Sequence, residues 1–148
     1  MASMWDDAAR RQLLERFGRL TADHKPRWGK MTAAQVLAHL NDTHRMAAGE
    51  LTAKVERLPI RFFPLKQLII YVLPFPKGSP TAPELIARLD GAQWDAEATA
   101  FPQVLDRLAR IPSTAAWPIH PAFGRLSYGD WGQLMHKHVS HHFTQFGV

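Results

Sequence analysis

Trp131-Gly132-Gln133-Leu134-Met135-His136-Lys137-His138-Val139-Ser140-His141-His142-Phe143-Thr144-Gln145 holds four of the eight histidines in this 148-residue chain. Wound as a helix at about 100° per residue, the stretch puts His142 about 40° from His138, with Trp131, Leu134, Met135 and Gln145 within about 60° on the same side. His141 falls on the shoulder of that stripe and His136 on the opposite face. An apolar stripe at this spacing faces a core, so His138 and His142 are expected to be buried. Two buried imidazoles lose their hydration unless a hydrogen-bond network or a bound metal satisfies them. A helical His-x-x-x-His pair presents two nitrogens to one divalent ion. One further ligand from another helix would leave positions open for water or substrate.

Reading outward, this helix starts at Ser127, whose Asp130 three residues on repeats a capping pattern, and runs to about Phe146. Upstream, Pro112 stops a helix expected over Asp95 to Arg110, with Ala98, Phe101, Val104, Leu105 and Leu108 on one side. Pro102 is expected to kink that helix or to mark its true start. Thr32 and Gln35 form another capping box, from which Val36, Leu37, Leu40, His44 and Ala47 continue one stripe toward Leu51. Near the N-terminus, Ser3 reads as a cap with Asp6 in the first turn, and Trp5, Ala9, Leu13, Phe17 and Leu20 recur at helical spacing. Between the second and third of these helices, Pro59, Pro64, Pro74, Pro76, Pro80 and Pro83 leave room for a short helix around Leu65 to Leu73. Another short helix is opened by Thr81, Ala82, Pro83 and Glu84 and ends near Gly91. Strand alternation, internal repeats and low-complexity linkers are absent from the sequence. The pattern predicts one all-α domain over residues 1–148, a four-helix bundle with a Pro-rich excursion between its second and third main helices.

Composition narrows the chemistry. With no cysteine, the chain has no thiolate nucleophile, iron–sulfur ligand or redox switch of its own. Eighteen basic against thirteen acidic residues give a net charge of +5. The bases are scattered, and the densest group, Lys25, Arg27 and Lys30 around Trp28, reads as an inter-helix loop more readily than as a nucleic-acid site. Acids at Asp6 and Asp7 stand where an export signal needs a basic and apolar run, so a cytoplasmic location is expected. The most apolar window, Leu58 to Pro76, is interrupted by prolines and charges well short of the ~20 residues of a membrane span. Its Phe62 to Phe75 portion is a candidate homodimer surface.

The third ligand belongs on the second helix, where His39 and His44 compete. Against Leu37, Leu40 and Ala47, His44 lies nearer the middle of the apolar stripe, while His39 shares its face with Gln35, Asp42, Thr43 and Met46. Periodicity alone therefore favours His44 slightly, and Asp42 is placed to orient the His39 imidazole or to face solvent. Rival chemistries lack their residues. Val139 stands where the glutamate of a zincin motif belongs, and no Glu-x-x-His, glycine-rich phosphate loop or Gly-x-Ser-x-Gly elbow occurs. Ser127 and Ser140 read as a cap and a helix-surface residue, with a Ser–His dyad as the alternative.

Trp28, Met31-Thr32-Ala33-Ala34, His39-Leu40, His120-Pro121-Ala122-Phe123-Gly124 and the tail from His138 to Gly147 together resemble the DinB/YfiT-like superfamily of metalloproteins, over nearly the whole chain. The resemblance implies a four-helix bundle with a zinc- or nickel-type site. Carried onto this chain, it implies His39, His138 and His142 as ligands, in place of the periodicity preference for His44. It also implies a metal-dependent enzyme acting on a small molecule, such as transfer of a low-molecular-weight thiol to an electrophile. His141 and His120 are then candidates for proton transfer or substrate contact, against bland readings as surface and loop-packing residues. The alternative is a non-catalytic bundle serving as a binding or stress-response module.

Overall fold

Capping chemistry sets the ends of the long helices in the computed structural model, which describes residues 1–79, 81, 83–86 and 88–148. The first helix, α1 (Asp7–Phe17), is opened by Asp6, whose carboxylate accepts from the Ala8 and Ala9 N–H groups at 2.7 and 3.1 Å. Ser3 is therefore not the cap, and Trp5 lies outside the helix. The Trp5 indole instead stacks on Tyr128 at 4.5 Å and donates to the Tyr128 carbonyl, which draws the N-terminal segment onto the start of the last helix. The second helix, α2 (Ala33–Ala47), carries the expected reciprocal Thr32–Gln35 box and stops short of Leu51.

The excursion after α2 holds a 3₁₀ turn (Pro59–Arg61), then α3 (Leu65–Gln67) continued by a π turn over Leu68–Val72. Lys137 secures this segment, its Nζ donating to the carbonyls of Ile69, Ile70 and Leu73, so a last-helix cation satisfies backbone acceptors that the turn leaves free. Tyr71 adds a hydroxyl donated to Asp130 at 2.6 Å. The outer face of the segment is apolar and exposed, with Phe62 and Phe63 at 64% and 81% exposure. Next comes α4 (Pro83–Ile86), followed by a separate 3₁₀ turn at Leu89–Gly91. Pro80 and the Ala82 of the expected cap lie outside the described residues.

The third long helix, α5 (Trp94–Ala109), keeps Pro102 in its interior. Pro102 leaves the Ala98 carbonyl without its helical donor, and burial of Phe101, Val104, Leu105 and Leu108 offsets that loss, each worth about 1.5–3 kcal/mol. The last helix, α6 (Tyr128–Gln145), starts from the predicted Ser127–Asp130 box. Gly132 within it is a packing requirement. A Cβ there would fall 2.3 Å from both Ser3 Oγ and Trp5 Nε1.

All regular elements among the described residues are helical, apart from one bridge pairing His120 with Gly124. Helix α2 packs on α5, α4 and α6, while α1 packs on α6. As a result α2 is buried nearly all round, including its polar Asn41, Asp42, Thr43 and His44. No helix among the described residues is long and apolar enough to cross a membrane.

Candidate metal centre

Burial of α2 between its neighbours turns His39 toward α6, and the His138/His142 stripe of α6 faces it. The Nε2 of His138 lies 3.0 Å from that of His39 and 3.1 Å from that of His142, and one ring nitrogen from each lies within 4.8 Å of the others. All three are buried, at 5%, 8% and 7% exposure. Burial, reinforced by the neighbouring imidazoles, pushes His39 down to about 3 and holds His138 well below the usual imidazole range. Burial likewise takes His142 down to about 4, against the opposing effect of its bond to Gln145. At neutral pH the three rings are uncharged and offer lone pairs.

The tautomer of His142 follows from its surroundings. The Gln145 amide donates to the Trp28 carbonyl at 2.7 Å, which leaves its Oε1 facing His142 Nδ1 at 2.7 Å. Oε1 can only accept, so Nδ1 carries the proton and Nε2 points a lone pair at the cluster centre. Protons alone do not satisfy this arrangement. His138 Nε2 has either one proton or one lone pair, so it makes a good bond to at most one of its two neighbours. A single cation satisfies all three nitrogens. Three nitrogens at tetrahedral zinc distances lie about 3.3 Å apart, within a few tenths of an ångström of the two separations that His138 makes, and the whole set lies within 4.8 Å.

The second supporting position is Gly29. It holds φ at +81°, and a Cβ there would meet Gln145 Nε2 at 2.6 Å, so only glycine lets the loop close on the amide that orients His142. Sequence reading placed Gln145 on the stripe but gave no sign of the Trp28 carbonyl it reaches. Gln145→Leu is expected to weaken the binding of any divalent ion the cluster takes up about 10–100-fold, as loss of an outer-shell partner does, measured by competition with a chelating dye.

His44 stands apart from the cluster. Its Nδ1 donates to the Leu40 carbonyl at 2.5 Å, its ring meets Phe101 edge-on, and burial pushes it down to about 4. Asp42 does not orient His39 and does not face solvent. Its carboxylate pairs with Arg45 at 3.0 Å and Arg88 at 2.9 Å, and Arg88 bridges on to Glu97. Nearby charged partners captured it, and His39 Nδ1 is left buried without a hydrogen bond. Ser127 is a cap and Ser140 Oγ accepts from Arg16, so neither forms a dyad with a histidine.

A cavity of about 420 Å³ opens beside the cluster, lined by His39, His138 and His142 and, among others, by Trp28, His120 and His141. The excursion supplies its cover: Phe75 stacks 5.3 Å from His138 and lies 5.2 Å from His141. Trp28 meets His141 edge-on and carries Lys77 over its ring, so this tryptophan belongs to the cavity rim. His120 Nδ1 accepts the Ala122 and Phe123 N–H groups at 3.0 and 3.1 Å, and burial pushes it down to about 4. That is its loop-packing role, and the residue is also among those that line the cavity.

A helical protein with three converging buried histidines beside an apolar cavity is the class that fold and site define. Residues 6–146 match the family model of the DinB superfamily, and the chain belongs to that superfamily, whose members are often metal-binding. Searches of curated proteins and of solved structures returned no match.

Proposed function

We propose that His39, His138 and His142 hold one divalent cation, Zn²⁺ or Ni²⁺, and that the protein is a metal-dependent enzyme acting on a small molecule in the adjoining cavity. The observation that carries this reading is the frustrated set of three Nε2 atoms, which one cation satisfies and protons do not. Imidazole ligands suit Zn²⁺ and Ni²⁺. Three neutral ligands leave such an ion its full charge, and when bound it would supply a Lewis acid that favours the deprotonated form of a coordinated thiol or water.

This chain's own part is then to bind, orient and exclude water. Gln145 fixes the His142 tautomer, Phe75 covers the His138 ring, and the apolar walls keep solvent from the reacting groups. With no cysteine in the chain, a thiol used here arrives as a co-substrate. Transfer of such a low-molecular-weight thiol to an electrophile is the most specific reaction this reading supports, with His141 at the rim placed for substrate contact.

The experiment is the metal content of protein purified without a polyhistidine tag, compared with His138→Ala. Close to one ion per chain, lost in the variant, is expected. A substoichiometric content that the substitution leaves unchanged would favour the non-catalytic bundle instead.

A further inference from the structure

The cavity beside the histidines is one-sided in its chemistry. No aspartate or glutamate is among its described lining residues, whereas Lys30 is, and Lys77 lies just outside over the Trp28 ring. Its walls are largely apolar, with Met31, Ile60, Ile69, Phe75 and Leu134 prominent. An amine bound there would find no carboxylate, and a strongly polar molecule would lose hydration against walls with few partners.

One donor in the cavity is fixed by the fold. The Nδ1 lone pair of His120 is taken by two backbone N–H groups, so the neutral ring must carry its proton on Nε2. The ring's hydrogen bonds to described residues are all made at Nδ1, which leaves Nε2 without one, and His120 is among the residues that line the cavity. The tight turn that closes at the His120–Gly124 bridge keeps the imidazole from rotating away from those two amides.

We infer that the cavity binds a small amphiphilic carboxylate, its apolar body against these walls and its carboxylate accepting the Nε2–H of His120. A volume of about 420 Å³ falls within the range of about 300–1,000 Å³ in which clefts hold small molecules. The inference deepens the proposed function by naming a substrate class for the same cavity. Its binding test does not depend on the metal, because His120 is not one of the three clustered histidines.

Octanoate and octylamine are the probes, titrated calorimetrically into chelator-treated protein and into protein supplied with Zn²⁺. Octanoate is expected to bind the chelator-treated protein, with octylamine at least tenfold weaker. In His120→Asn the carboxamide oxygen still takes the loop amides but the outer N–H is gone. Octanoate affinity there is expected to fall about tenfold or more, the scale of one hydrogen bond to a charged group. His120→Gln, which keeps an N–H at the outer position, is expected to recover part of that loss. Equal binding of the two probes, no octanoate binding in either form, or an octanoate affinity untouched in His120→Asn overturns the inference. Octanoate binding that requires Zn²⁺ and survives His120→Asn also overturns it, while leaving the metal reading standing. Absent Zn²⁺ binding with His120-dependent octanoate binding intact overturns the metal reading alone.

Discussion

Chelator-stripped protein is expected to take up one Zn²⁺ per chain and to melt at a markedly higher temperature once the ion is present. A ligand that binds only the folded state, at a thousand times its dissociation constant, stabilises by about 4 kcal/mol. For a chain of this size that corresponds to a rise of roughly 8–16 °C. The ion would also relieve the three Nε2 atoms now held 3.0 and 3.1 Å apart along the His39–His138–His142 sequence. In His138→Ala the rise is expected to collapse, because the central nitrogen of the cluster is removed. His44→Ala is the control, since that ring lies outside the cluster against Leu40 and Phe101. A rise that persists in His138→Ala, or disappears in His44→Ala alone, would show that the metal binds elsewhere.

Acid is expected to unfold the metal-free protein steeply between about pH 6.5 and pH 4. His44 and His120 are each pushed from the ordinary imidazole value down to about 4, chiefly by burial. The folded state therefore keeps them neutral while the unfolded chain, near 6.5, takes up protons. Their contribution is fully present above about pH 6.5 and is lost as pH falls toward 4, at about 3 kcal/mol for each group. Together that is comparable to the whole stability of an ordinary domain, about 5–15 kcal/mol. His39 and His142, held low by burial in the same way, add to the effect when no metal is bound. Circular dichroism at 222 nm against pH checks it. His44→Leu is expected to make the transition less steep by about one proton, and a protein still folded at pH 4 would contradict the account.

Much of this molecule is written in local pattern. The Thr32 and Ser127 boxes mark helix starts because their signal lies within four residues, and the structure places both where the spacing predicts. The i, i+4 histidines of α6 are legible for the same reason. The choice between His39 and His44 is not, because a stripe argument assumes one buried face. Helix α2 is covered by α4, α5 and α6, so both histidines are buried and periodicity loses its power to discriminate. Asp42 is illegible in the same way, since Arg88 comes from a distant part of the chain. Pro102 does not mark the start of its helix, because the packing of Phe101, Val104 and Leu105 overrides its local cost. The loop at Trp28–Gly29 that holds Gln145 is a long-range contact with no local signature beyond a glycine.

Anomalous diffraction at the zinc edge, from crystals grown with Zn²⁺ and without a polyhistidine tag, puts the central claim to the most direct test. The account predicts one strong peak within bonding distance of the Nε2 atoms of His39, His138 and His142. A peak at His44, or none in the cluster, would contradict it.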